Sequence, residues 1–446
     1  MTKTVELAAQ LALADLHSAL ADPALESMNF LNEVAGRYPE ALSLAAGRPY
    51  EEYFDLAAVP RYLARYERYL AEERGLTADQ VRRTVLQYGR TKGIIHDLVA
   101  RNLAVDEGIE VDPEAVVVTV GCQEAMFLVL RALRTDERDV LLAVTPTYVG
   151  LTGAARLVDL PVRAVRGGPA GVDLAALARE IRAARAEGLR PRACYLLADN
   201  SNPSGVTLDL AARRALLELA EQEDLLLLED NPYGLFSAER LPTLKALDTA
   251  RRVVYLGSFA KTGLPGARVG YLVADQTVAA PDGSTGLLAD ELAKLKSMLT
   301  VNTSPIAQAV IAGKLLEHDC SLLRANEREI ARYRENLAVL LAALGAAFPA
   351  GADGADGSGV SWNVPAGGFF LVVTVPFAVD DALLERSARE HGLLFTPMRH
   401  FDDTPEAATQ LRLSVSLLTA PQVEEGVRRL RALVAAQAGG GRPPQA

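Results

Sequence analysis

Several residue types are scarce in this sequence. Its 446 residues include three cysteines (Cys122, Cys194, Cys320), one tryptophan and five histidines. No CxxC pair or Cys/His cluster occurs, which argues against a disulfide framework and against structural zinc. His17, His96, His318, His391 and His400 are scattered without ligand spacing, and His400 alone falls near a plausible pocket wall. Basic charge is not in excess either: 46 Lys and Arg stand against 57 Asp and Glu, a net charge of -11. A nucleic-acid surface needs clustered cations, so no nucleic-acid partner is expected. No run approaches the ~20 apolar residues of a membrane span. The N-terminal stretch lacks the form of a secretory signal, because Gln10, Asp15 and His17 interrupt its apolar residues. These absences predict a cytoplasmic protein with no membrane partner.

Apolar material, by contrast, is plentiful. Half of the residues are hydrophobic and 23% are charged, a globular composition that can bury a large core. Short apolar runs occur at Ala115–Val120, Val140–Val144, Ala193–Ala198, Leu225–Leu228, Val253–Leu256 and Val269–Val273. Runs this short, several of them β-branched, read as strands buried on both faces. Helix-period segments lie between them, such as Leu208–Gln222 with Thr207 as its capping residue. Strands alternating with helices predict a mostly parallel α/β sheet.

The C-terminal part differs. A long helical pattern from Glu327 leads to a Gly/Asp-rich loop at Gly351–Gly359. Strands at Phe369–Val375 and Leu411–Ser416 then alternate with helices at Asp380–His391 and Ala420–Gln437, which predicts a smaller α+β unit. The Arg/Glu run at Arg324–Arg334 reads as a solvated helix face with i,i+4 pairs. Ala279–Gly286 reads as a surface insertion and 439–446 as a flexible tail. The expected division is an N-terminal arm with part of the small domain (1–55), a large domain (56–324) and a C-terminal small domain (325–438).

Four motifs carry chemistry, each just past a predicted strand. In the first, Lys261 lies in a loop of small residues between Ser258 and Arg268, where open α/β sheets place their ligands. A hydroxyl and a guanidinium suit a phosphate dianion, the arginine by bidentate contact. In the second, Glu229-Asp230-Asn-Pro-Tyr233 follows LLLL. An acid at a buried strand end is costly unless it meets a cation, and a protonated pyridine nitrogen is one; a turn or helix cap is the plainer reading. The third, Asn202-Pro203-Ser-Gly205, offers an amide beside an ordinary turn signal. The fourth, Gly121-Cys122-Gln123, opens a helix whose free N–H groups favour an anion. Cys122 has no legible His or metal partner and reads as a packing residue and helix-start donor, not a nucleophile. Together these groups supply what pyridoxal 5'-phosphate needs: a lysine for its aldehyde, an acid for its nitrogen, donors for its ring oxygen, and a phosphate site.

NPSG, DNPY, SFAKTGLPGARVGY and the late LRLS resemble the class I/II aminotransferases, which have the pyridoxal-phosphate-dependent transferase fold of type I. The resemblance runs from about Ser27 to Ala436, nearest to the 2-aminoadipate/aromatic branch. It implies an α/β large domain with a mostly parallel seven-stranded sheet plus the small α+β domain. It further implies that Lys261 binds the cofactor aldehyde and moves the α-proton, that Asp230 holds the pyridinium, and that Asn202 and Tyr233 hold the ring oxygen. Gly121, Cys122, Gln123, Ser258 and Arg268 would hold the phosphate, and Tyr148 would stack on the ring. Tyr88 would reach the phosphate across a homodimer interface. Arg412 would clamp the α-carboxylate shared by the amino acid and 2-keto acid substrates, and Gly47 and Arg48 belong to the loop that closes on them.

This sequence departs from the family at two places. Ala260 replaces a common serine before the lysine, and Ala45-Ala46-Gly47-Arg48 replaces the usual Gly-Gly-Leu. The N-terminal stretch ADPALESMNFLNEVAGRYPEALSLAAGRPYEEYFD, with VTVGCQEAMFLVLRAL, is similar to the phenylglycine transaminases of antibiotic biosynthesis, which act on arylglyoxylates. Two other readings stay open at this point. One is a different carbanion reaction on the same cofactor: β- or γ-substitution, decarboxylation, oxidation or carbon–carbon bond formation. The other is the effector domain of a transcription regulator.

Overall fold

The computed structural model describes residues 11–168, 171–349 and 359–439. Most of the expected Gly351–Gly359 loop and nearly all of the expected tail lie outside these residues.

The central sheet has seven longer strands and a two-residue eighth. Their order across the sheet is Val116–Thr119, Gly270–Val273, Val253–Ser258, Leu226–Asp230, Arg190–Leu196, Asp139–Thr145, Val162–Gly168 and Gly171–Val172. The five strands from Val253–Ser258 to Val162–Gly168 run parallel to one another. Gly270–Val273 runs against both its neighbours, and Gly171–Val172 folds back on Val162–Gly168. Because Gly270–Val273 is reversed between them, Val116–Thr119 points the same way as the parallel strands.

Both faces of this sheet are covered, as the continuous apolar runs require. Alternation along a strand sends Leu227 into the cluster of Leu142, Val165, Leu177 and Val253, and Leu228 into that of Leu128, Leu141, Leu151 and Leu256. Val162–Gly168 has no apolar run to announce it. Arg163 and Arg166 interrupt it, and only Val165 is buried, because it lies near the sheet edge.

A second, antiparallel sheet orders Ser361–Trp362, Phe370–Thr374, Gln410–Ser414 and Thr396–Pro397. It packs with the helices Glu327–Ala347 and Ala420–Gly439 around Leu340, Leu371, Leu413 and Val427. Leu42–Ser43 pairs in parallel with Leu393–Leu394, so residues near the start of the chain join this C-terminal unit.

Two local expectations are corrected and a third is refined. The helix Leu210–Gln222 is capped by Asp209, whose carboxylate accepts from Ala212 N at 2.7 Å, and not by Thr207. The Thr207 hydroxyl instead accepts from Asn200 N at 3.0 Å. The Arg324–Arg334 run is more than a solvated face, since Arg328 lies 3.5 Å over the Tyr53 ring and Arg332 3.7 Å over the Tyr50 ring. The segment around Ala279–Gly286 is an exposed hairpin in which Thr277–Ala279 pairs with Thr285–Leu287.

Candidate active site

The shared strand direction brings all four motifs to one rim of the sheet. The C-terminal ends of Val116–Thr119, Arg190–Leu196, Leu226–Asp230 and Val253–Ser258 deliver Gly121, Asn202, Asp230 and Lys261 in turn. Asp139–Thr145 adds Tyr148, the N-cap residue of helix Val149–Leu157. The reversed strand Gly270–Val273 starts where the others end, so Arg268 arrives at the same rim. Between this rim and the second sheet lies a cavity of ≈ 600 Å³, and Asp230, Lys261, Arg268 and Arg412 all face it.

Lys261 Nζ donates to the carbonyl of Gly47 at 2.6 Å. Burial lowers its pKa to about 8, and the positive charges of Arg412, Arg268 and Arg48 add to the effect. Asp230 is buried without a cation, and burial raises its carboxyl to about 6. Glu229, one residue earlier, points away. It accepts the backbone N–H groups of Leu244 and Lys245 at 2.7 and 2.8 Å, a capping role, and burial raises it to about 8.

Arg412 is 6% exposed, opposite Val372 in the second sheet. It donates to Asn202 Oδ1 at 2.5 Å, the Ala45 carbonyl at 2.6 Å and Thr396 Oγ1 at 3.1 Å, all uncharged acceptors. Its Nε has no partner, and the rings of Phe370 and Phe401 lie 4.4 and 5.0 Å from its guanidinium carbon. Burial lowers its pKa to about 10. Among the described residues no carboxylate neutralises this charge.

The loop Ala45–Gly47 acts through its backbone. Its three successive carbonyls accept from Arg412, Ser416 and Lys261. A Cβ at Gly47 would stand 2.5 Å from Phe370 Cζ, so glycine is needed there, while alanines at 45 and 46 suffice. Arg48 is exposed at the cavity mouth, 3.9 Å from Glu51.

Gly121 has φ +72°, and a Cβ there would lie 2.6 Å from Arg268 Nη2. The guanidinium therefore rests against the start of helix Gly121–Leu133, with Ser258 on the same cavity wall. Cation, helix N-terminus and hydroxyl together have the chemistry that suits a phosphate. The Gln123 side chain is turned aside, its amide donating to the Gly150 carbonyl at 2.6 Å. The Tyr148 ring is held close by Gly150, where a Cβ would approach it to 2.3 Å. Tyr233 packs edge-on against Phe369 and Phe370 with centroids 5.2 and 5.3 Å away.

The structure thus gathers Gly47, Arg48, Cys122, Gln123, Tyr148, Asn202, Asp230, Tyr233, Ser258, Lys261, Arg268 and Arg412 around one space, with Gly121 behind the Arg268 guanidinium. Tyr88 is not brought in: it is 80% exposed in this chain. His400 bonds Ser27 and Asp381, both at 2.9 Å, and does not line the cavity, whereas its neighbour Phe401 does. Sequence reasoning missed Tyr195, whose hydroxyl donates to Asp230 Oδ2 at 2.7 Å. It also missed the Cys122 thiol, 3.5 Å from Asp230 Oδ1. A tyrosine inside an apolar run was the available signal, since a buried phenol needs an acceptor.

The donor set fits pyridoxal 5'-phosphate: a half-buried amine of lowered pKa, a buried acid without a cation, and an anion cradle lie around one cavity. Residues 59–430 match the family described as aminotransferase class I and II, and the chain belongs to that family. It is an aminotransferase that uses pyridoxal 5'-phosphate. It is 57% identical to the (S)-3,5-dihydroxyphenylglycine transaminase of Amycolatopsis orientalis, over 97% of this chain and 96% of that one. It is 32% identical to the 2-aminoadipate transaminase of Thermus thermophilus, over 88% of this chain and 89% of that one. Among solved structures, the α-aminoadipate aminotransferase of Thermus thermophilus, complexed with N-(5'-phosphopyridoxyl)-L-leucine, superposes with a TM-score of 0.76. The two share 28% identity, and the match covers 96% of this chain and 100% of that one. Amino-group transfer therefore prevails over the other two readings of the sequence.

Proposed function

We propose that this enzyme moves an amino group between an arylglycine and a 2-keto acid, with an arylglyoxylate as the aryl-bearing keto acid, in a pathway of specialised metabolism. The observation that carries the reading is Arg412, a buried cation held by uncharged acceptors and lacking a counter-ion. A substrate α-carboxylate is the natural one, and every amino and keto acid brings it. The aryl preference is supported by the 57% identity to the dihydroxyphenylglycine enzyme and by the cavity wall of Leu25, Met126, Val149, Gly153 and Phe401 beside Tyr148.

In this reading Gly121, Cys122 and Gln123 offer backbone N–H groups to the cofactor phosphate, with Ser258 and Arg268 completing the site. Tyr148 covers one ring face, Asn202 and Tyr233 hold the ring oxygen, and Asp230 meets the ring nitrogen. When bound, the cofactor supplies an electron-withdrawing ring that acidifies the Cα–H bond of the amino acid. Lys261 would be its point of attachment, and its Nζ, as a free amine, would take the proton from Cα. A pKa near 8 suits that work, since a base is most effective when it titrates close to the operating pH. Arg412 holds the carboxylate while the Cα–H bond faces Nζ, and Gly47 and Arg48 form the loop at the mouth.

We further propose a cytoplasmic homodimer in which Tyr88 completes the partner's phosphate site, and a division into a large domain (56–324) with a small domain drawn from both ends. The exposure of Tyr88 and of Arg268 supports the dimer.

The test is a half-reaction. Holoenzyme is mixed with single amino acids, without keto acid, and loss of the visible band of lysine-bound cofactor is timed. Dihydroxyphenylglycine and 4-hydroxyphenylglycine should be among the fastest donors. Faster reaction with alanine or aspartate than with either would sink the aryl assignment.

A further inference from the structure

Asp230 ends a strand buried among apolar neighbours, and it is 3% exposed. Most other buried acids among the described residues are neutralised by cations or held by backbone N–H groups, Glu107 with Tyr255 and Asn231 being an exception away from the cavity. Asp199 pairs with Arg213 at 2.6 Å, and Asp139 pairs with Arg190 and Arg192. Asp230 has neither arrangement among the described residues. Its two oxygens each receive one uncharged side-chain donor, Tyr195 O–H on Oδ2 and Cys122 S–H on Oδ1.

The backbone sets this up. Tyr195 lies opposite Leu228 in the neighbouring parallel strand, and Leu228 and Asp230 share a face because side chains alternate along a strand. The phenol therefore reaches Asp230 diagonally from below the rim. Cys122 comes from the opposite side, in the first turn of helix Gly121–Leu133. Gly270 lets that turn settle, since a Cβ there would meet Cys122 N at 2.6 Å.

We propose that Tyr195 and Cys122 form a two-donor clamp on Asp230 that fixes the carboxylate plane and keeps it ionised, making both positioning residues for the cofactor's ring nitrogen. The inference rests on the assignment of Asp230 to that nitrogen. Uncharged donors suit the task. A cationic partner would neutralise the acid and compete with the pyridinium, whereas a phenol and a thiol stabilise the anion and leave its charge in place. Burial raises the Asp230 carboxyl, and the two hydrogen bonds act the other way. Burial and the adjacent carboxylate raise both donors' own pKa values, so each keeps its proton. The other ionisable groups around the site are Tyr148 and Tyr233 with the cations Arg268, Arg412 and Lys261, and these cations lie on the cavity side. Cys122 also ties two jobs together: its thiol faces Asp230 while its backbone opens the helix at the phosphate site.

The sign of the effect follows. Removing a donor raises the Asp230 pKa further, so the acid protonates at a higher pH and the acid limb of cofactor binding moves upward. The dissociation constant of pyridoxal 5'-phosphate is titrated on apoprotein from pH 5 to 8 for the native chain, Tyr195→Phe, Cys122→Ala, Cys122→Ser and Asp230→Asn. Tyr195→Phe should move the acid limb up by roughly one pH unit, and in turnover should lower kcat roughly tenfold with little change in KM. Cys122→Ala should move the limb less, and Cys122→Ser should restore most of it. Asp230→Asn separates the two ideas. If it binds and turns over like the native enzyme, the Asp230 assignment fails. If it is impaired while Tyr195→Phe keeps the native acid limb, the clamp fails, and a lower melting temperature alone would mean that Tyr195 merely packs.

Discussion

Arg412 differs from the other buried cations in what surrounds it. Arg213 meets Asp199, Lys296 meets Glu124 at 2.7 Å and Lys245 meets Asp275 at 2.6 Å. Each of those is internally neutralised and serves the fold. Arg412 has amide, carbonyl and hydroxyl oxygens only, an arrangement that leaves its charge for a ligand. Replacing it with alanine should raise KM for the amino acid and the keto acid alike, on the order of a hundredfold, with cofactor binding little altered. Steady-state kinetics with both substrates checks this, and a change in only one KM would contradict it. At this scale the sequence was informative wherever a polar residue broke an apolar context, as at Lys261, Asp230 and Arg412. At Tyr195 it gave only a phenol inside an apolar run, which calls for an acceptor without naming it, and it was silent on the Cys122 thiol, whose partner is remote in the chain.

Elements locate the site through strand direction and through backbone groups that carry no side-chain signature. The apolar runs between Ala115 and Val273 were legible because both faces of those strands are buried. Val162–Gly168 was not, because an edge position tolerates Arg163 and Arg166. The loop Ala45–Gly47 is a further case: the sequence showed alanines at 45 and 46, yet it is the carbonyls that accept, from Arg412 and Ser416. Gly121 tests the same principle. Alanine there would occupy a left-handed conformation and push a methyl group toward Arg268 Nη2, 2.6 Å away. Gly121→Ala should weaken pyridoxal 5'-phosphate affinity roughly tenfold or more while circular dichroism stays native, the cost of moving the guanidinium off the helix start. Equal affinity in a fluorescence titration would remove this segment from the phosphate site.

The whole molecule poses the question of assembly. Leu86, Tyr88, Met298 and Ile306 are exposed apolar residues, and Gly89 lies against Asn302, so the two segments that bear them are neighbours. Sedimentation should give twice the chain mass, and Tyr88→Phe should reduce cofactor affinity without changing that mass. A fully active monomer would contradict the composite site. In the sequence, Tyr88 was marked only by the resemblance to the family, because a contact with a second chain leaves no pattern in the first.

The common strand direction also has a practical corollary. The candidate site lies at one rim of the central sheet, so the turns at the other, around Thr135–Arg138, Glu187–Leu189, Glu223–Leu225 and Asp248–Arg252, are remote from it. They form a natural handle, by which the catalyst could be tethered to a bead or fused to another enzyme with its mouth left facing the medium.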